Sequence, residues 1–162
     1  MDIKDTVATF QLKGTRIVDF NIQNDFIDLP GNDELNKSIN LGNPSIKIDD
    51  NKDNENDMLF AELQLKANIL YEHKELPQKL NISITVEGFF SFSEKSEDKF
   101  KQMLCLNGNS NLYTVIRSYV TTISSLALNS GKIIMPMINF LKLADLLAKK
   151  NDENNNMENS DK

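Results

Sequence analysis

The chain has 162 residues, of which 40% are hydrophobic and 26% charged, with a formal net charge of −6. That is enough apolar mass for one domain with a real core, and a charge balance that excludes a basic surface able to displace counterions from nucleic-acid phosphate. No run approaches the roughly 18 uninterrupted apolar residues of a membrane span, and Arg16 and Arg117 are the only arginines. The opening MDIKDTVATF carries acids and no apolar signal core, so the expected location is the cytoplasm. A single cysteine, Cys105, forbids an internal disulfide and fits a reducing compartment.

Phe10, Leu12, Val18, Phe20 and Ile22 share even parity, the period of a strand with one buried face, and Gly14 interrupts them as a bulge would. This predicts a first strand over 8–23. Pro30, Gly31, Gly42 and Pro44 mark 29–45 as loop, with Ile46 and Ile48 opening a short strand. The acidic tract DDNKDNEND from Asp49 to Asp57 reads as a loop. Leu63, Leu65, Ala67, Ile69 and Tyr71 then alternate within a strand over 58–71. After a turn around Pro77, the next strand carries Leu80, Ile82, Ile84 and Val86 and runs on to Phe90 and Phe92. Strands joined by short turns imply antiparallel pairing.

From Glu97 the period changes to that of helix. Phe100, Met103 and Leu104 start it, 107–111 break or kink it, and Leu112, Ile116, Tyr119, Ile123 and Leu126 recur at helical spacing. Gly131 suits a left-handed helix end. After Pro136, Asn139 can cap a last helix bearing Phe140, Leu143 and Leu147. The asparagine-rich segment 151–162 reads as an acidic disordered tail. The fold class is therefore α+β, a single domain over 1–150 and a tail, with an antiparallel sheet that the helices must cover.

Residues for chemistry are scarce. Asp49, Asn51 and Asp53 mimic the start of a calcium loop. The sixth position, however, is Asn54 instead of glycine and the twelfth is Phe60 instead of glutamate, so a solvated loop is the reading. His73 is the only histidine and cannot build a zinc site with one cysteine. A Cys105–His73 dyad is the remaining nucleophilic arrangement, but Cys105 between Leu104 and Leu106 reads as a buried, inert thiol. No cofactor, metal or catalytic residue is expected. By contrast Phe89, Phe90 and Phe92 give one strand end more aromatic surface than a single face absorbs. Phe90 and Phe92 share a face and Phe89 takes the other. An apolar surface left over in this way points to binding, and capture of polypeptides and self-association are equal candidates.

The order of these segments resembles the SecB family of export chaperones. The resemblance runs from about Phe10 to Leu147. It rests on Phe10-Gln11-Leu12-Lys13 and Arg16 to Phe20, on Glu87-Gly88-Phe89-Phe90-Ser91-Phe92, on Leu112 to Arg117, and on Gly131, Pro136, Asn139 and Phe140. It implies a four-stranded antiparallel sheet with one long and one short helix, assembled as a homodimer or homotetramer. It further implies an ATP-independent holder of unfolded or precursor polypeptides with no enzymatic activity. By position, Phe89, Phe90, Phe92, Tyr113 and Tyr119 become candidates for polypeptide binding or subunit contact. Asp19 matches one acidic position at which family members dock the translocation ATPase, whereas Gln23 and Ser83 stand at two others. The family's proline near Thr114 is replaced. These departures leave room for an interaction module serving one partner, such as a toxin–antitoxin pair.

Overall fold

In the computed structural model the described residues are 8–25, 27, 29, 34–49, 58–128 and 131–143. Five strands form one antiparallel sheet: β1 Phe10–Asn24, β2 Leu35–Leu41, β3 Ser45–Ile48, β4 Leu59–His73 and β5 Lys79–Phe92. Their order is β1–β5–β4–β2, and β3 also pairs with β4. The sheet is thus four positions wide. The fourth position is filled by β2 against 67–73 and by β3 against 61–64. The strand count exceeds the expected four because Leu35–Leu41 is strand where Pro30, Gly42 and Pro44 pointed to loop. Leu35, Ile39 and Leu41 alternate with polar residues and face the buried side of β4, so the pattern of period 2 overrides its flanking breakers.

β5 shows why the sheet has a core side. Leu80, Ile82, Ile84, Val86, Phe90 and Phe92 are all buried, as are Leu63, Leu65, Ala67 and Ile69 opposite them on β4. Burying a side chain such as Leu63 or Ile84 stabilises the fold by about 1.5–3 kcal/mol. β1 departs from one simple parity. Its register against β5 slips between Leu12 and Gly14 and again between Ile17 and Asp19. Each slip turns the following residues to the opposite face. Thr15 and Ile17 consequently lie opposite Gly88 and Val86 on the core side, whereas Gly14 and Arg16 join Phe89 and Glu87 on the outer side. Val18, expected on the buried face, is a bulge residue and half exposed.

The helical layer is continuous across 107–111, where the sequence pointed to a break or a kink. α1, Glu97–Met103, begins at Ser96, whose hydroxyl accepts from the Lys99 amide, with Glu97 and Asp98 in the first turn, where carboxylates complement the helix dipole. A π-helical stretch, Leu104–Gly108, joins it to α2, Asn109–Ala127. The wide turn re-phases the helix instead of ending it. The Asn109 side-chain Nδ2 donates to the Cys105 carbonyl at 2.8 Å, and Gly108 comes against β4, where a Cβ would lie 2.8 Å from Leu63. Leu112, Ile116 and Val120 press onto the sheet with Tyr113 and Ser124 beside them.

α2 closes on Leu128, which is extended. Gly131 has φ 113, the left-handed value expected of it, but it lies beyond the helix end. The chain then returns extended along α2, and a helical turn begins at Phe140. Asn139 caps that turn, its carboxamide oxygen accepting from the Lys142 amide at 3.1 Å. The expected Leu147, the tail 151–162 and the calcium-like Asn51, Asp53 and Asn54 lie outside the described residues.

Candidate functional site

Two surfaces stand out, one on the helical layer and one on the open face of the sheet. On the helical layer, α2 holds the returning chain by four side chains spaced along one side. The Tyr113 hydroxyl donates to the Pro136 carbonyl at 2.8 Å, Arg117 Nε to Met135 at 3.0 Å, and the Thr121 hydroxyl to Ile133 at 3.1 Å. The Ser124 hydroxyl accepts from the Ile133 amide at 2.9 Å. The return therefore satisfies its backbone on a helix instead of a strand. Its extended geometry alternates the side chains: Ile133 and Met135 enter the core while Ile134 and Met137 face out. With Leu126 at the last turn of α2 and Leu141 beyond Asn139, four large apolar side chains are 64–83% exposed. Val115, Tyr119 and Ile123 are half-buried along α2 and extend its apolar arc towards Leu126.

The sequence candidates divide between layers. Phe90, Phe92 and Tyr113 are core residues in this chain. Phe90 stacks on Phe10 with ring centres 5.2 Å apart, Phe92 on Phe100 at 5.4 Å, and Tyr113 meets Phe140 edge-on at 5.7 Å. Burial pushes the Tyr113 phenol above its ordinary range, with Arg117 pulling the other way. Tyr119 is half-buried on the helical layer. Of the three candidate aromatics on β5, Phe89 alone lies on the outer face, where it lines a cavity with Phe60, Lys13, Lys47, Ile48 and Glu62. Asp19 is exposed on that same face, opposite Thr85.

Periodicity gave no hint of the outer face's other feature. Glu87 is only 1% exposed, held by the Arg16 guanidinium at 2.5 Å and by the Gln64 amide at 2.6 Å. Arg16 also lies 5.5 Å from the ring centre of Phe89. The β1 bulges create this cluster by turning Arg16 to the outer face, which is why parity could not foresee it.

His73 and Cys105 have separate settings. Nδ1 of His73 accepts from the amides of Glu75 and Leu76, both at 3.1 Å, and Nε2 is 2.9 Å from the Glu34 carboxylate. Both ring nitrogens are thus engaged in the turn between β4 and β5. Cys105 is exposed on the π-helical stretch, contrary to its reading as a buried thiol, because the wide turn rotates it outward between Leu104 and Leu106. Among the described residues no three His, Cys, Asp or Glu side chains gather as metal ligands, and no helix is long and apolar enough to cross a membrane.

No family model matches the chain, and no curated protein matches it in sequence. Among solved structures the fold is similar to that of the Mycobacterium tuberculosis SecB-like chaperone Rv1957, determined in complex with a ChAD peptide from the Rv1956 HigA1 antitoxin. The TM-score is 0.54 at 14% identity, over 79% of this chain and 91% of that one. A Streptococcus agalactiae protein of unknown function gives a TM-score of 0.41 at 9% identity, over 78% of this chain and 96% of that one. The antiparallel sheet with a long helix and a following short one is thus the SecB-like fold, as the sequence resemblance implied.

Proposed function

We propose that this chain is an ATP-independent, polypeptide-holding chaperone of the cytoplasm that works as a homo-oligomer, with the helical layer as its contact surface. The observation that carries the proposal is the exposure of Leu126, Ile134, Met137 and Leu141 on the helical layer, in a fold shared with a chaperone that binds a peptide. Large apolar side chains left in solvent favour association with another chain. Several such contacts on an oligomer would hold an extended client by avidity without requiring a particular sequence.

A dedicated client of antitoxin type is the better supported partner, because the structural neighbour was captured with a peptide from an antitoxin. Delivery of precursors to the translocation ATPase is the second reading. It has Asp19, exposed on the outer face, in its favour, against Gln23 and Ser83 at the other matching positions.

The test is light scattering after size exclusion, with and without a reduced unfolded protein, on the wild type and on Ile134→Asp/Met137→Asp. The wild type is expected to suppress aggregation near stoichiometric ratio and to give a complex heavier than the free oligomer. The double variant should fold and lose client binding, oligomer mass, or both. A variant unchanged in both readouts would remove the helical layer from the mechanism. Failure of the folded wild type to suppress aggregation would favour a single dedicated client, to be sought by pull-down.

A further inference from the structure

The helical layer is charged unlike the rest of the chain. Over the whole sequence Asp and Glu outnumber Lys and Arg by 24 to 18. From Asn109 to Leu143, through α2, the returning chain and the last helical turn, the only charged residues are Arg117, Lys132 and Lys142. None of them has a carboxylate partner among the described residues. An acidic protein thus presents a stretch that is positive and without an acid of its own.

These cations sit among the exposed apolar side chains. Lys132 and Ile134 share the outward parity of the returning chain, Lys142 follows Leu141, and all four are exposed. Arg117 Nη1 lies 2.7 Å from the sulfur of Met137, which is 80% exposed.

Beside Arg117, α2 has a recess of about 300 Å³ lined by Thr114, Arg117, Ser118, Thr121 and Thr122, which neighbour one another at helical spacing along one side. Thr114 and Thr121 donate their hydroxyl protons to the Ser110 and Ile133 carbonyls, and Arg117 Nε donates to Met135. Left over as donors are Arg117 Nη2 and the hydroxyls of Ser118 and Thr122, which have no hydrogen bond among the described residues. A guanidinium edge flanked by hydroxyl donors, with no acid in the lining, matches a carboxylate, whose oxygens only accept. The same recess repels Lys and Arg.

We infer that the helical layer selects client segments whose apolar residues are flanked by Asp or Glu. The apolar residues lie on Ile134 and Met137, one carboxylate enters the recess at Arg117, and Lys132 and Lys142 attract the others. The inference rests on the helical layer being the client-contact surface and adds charge to what that surface reads. The occupant is a single client segment because the apolar and the anionic contacts adjoin where Arg117 meets Met137. A bias of this kind leaves the order of the apolar residues free, and it comes from electrostatic complementarity.

The experiment is a ¹⁵N amide-shift titration of the full chain with three peptides. They share the core Leu-Val-Phe-Ala-Leu and carry Asp-Asp, Asn-Asn or Lys-Lys at both ends. The Asp-flanked peptide should bind about threefold or more tighter than the Asn-flanked one, with the Lys-flanked one weakest. Its shifts should include the amides of Arg117, Ser118 and Thr122. Ser118→Glu puts an acid at the recess on an exposed helix position where glutamate is a good helix former. It should weaken the Asp-flanked peptide about fivefold or more and the Asn-flanked one less than about twofold. Ser118→Gln, with the same bulk and no charge, should stay within about twofold of the wild type for both. Equal affinity for the three peptides, tightest binding of the Lys-flanked one, or an equal response to Ser118→Glu and Ser118→Gln would overturn the charge selection and leave the contact surface standing. If no peptide shifts an amide between 109 and 143, the contact surface itself is wrong and the inference falls with it.

Discussion

The two faces of this sheet are built by different rules from the same strands. On the core face, β5 places an apolar or glycine residue at each even position from Leu80 to Phe92, and all are buried. On the outer face the odd positions are Asn81, Ser83, Thr85, Glu87, Phe89 and Ser91, a polar strip broken by one aromatic and one buried carboxylate. The core face is specified by packing alone. The outer face keeps Glu87 out of water between Arg16 and Gln64 and leaves Phe60 partly in solvent. These are features that a face serving only as surface does not need. Residues that depart from the simplest folding solution therefore gather on one side of the sheet and on the far side of the helices.

Substitutions of matched residues on the two faces sharpen this contrast. Phe90→Ala, which removes a buried ring stacked on Phe10, should destabilise the fold by about 3–5 kcal/mol. Phe89→Ala, on the outer face, should cost about 1 kcal/mol and no more than about 2. Urea denaturation of both variants checks the pair, and equal losses would erase the distinction between faces.

The glycines give the next largest effect. A Cβ at Gly88 would lie 2.6 Å from Leu112 and 2.8 Å from Phe90, so Gly88→Ala should cost about 1–3 kcal/mol through overpacking. Gly14→Ala meets open space and should be neutral or stabilising by up to about 1 kcal/mol. Thermal melts of the two proteins, followed by circular dichroism, would show opposite or clearly unequal shifts.

The smallest effect concerns the strap over α2. Ser124→Ala removes the acceptor of the Ile133 amide and leaves a buried donor unpaired, at about 1–2 kcal/mol. Amide exchange should quicken at Ile133 and Met135 more than in β5. Uniform quickening would mean that the strap is not a separate unit.

Much of this architecture was legible because it follows from periods 2 and 3.6. The alternation from Leu63 to Tyr71 and from Leu80 to Phe92 set the two central strands and their buried face, and Asn139 marked the final helical turn. Strand β2 was obscured because Pro30 and Gly42 bracket it, although Leu35, Ile39 and Leu41 carry the strand period. The double bulge in β1 hid the outer-face cluster. Two slips cancel in parity, so Phe10 and Phe20 agree while Arg16 and Ile17 exchange sides. The core stripe of α2 was misplaced for a similar reason. Leu112, Ile116, Tyr119, Ile123 and Leu126 fit helical spacing, but the side pressed on the sheet runs through Leu112, Ile116, Val120 and Ser124. A buried serine carries no apolar signal, and only the returning chain, whose Ile133 amide it accepts from, explains it. The same drift left Tyr119 and Leu126 towards solvent, where the proposed contact surface lies.

The most direct test of that surface is site-specific photocrosslinking to a reduced, unfolded polypeptide, with the photoreactive residue at Met137 on the helical layer or at Asn21 on the polar part of the outer face. Strong client adducts are expected from position 137 and only background from 21. Equal crosslinking from both positions, or none from 137 while the protein still suppresses aggregation, would rule out the helical layer as the contact surface.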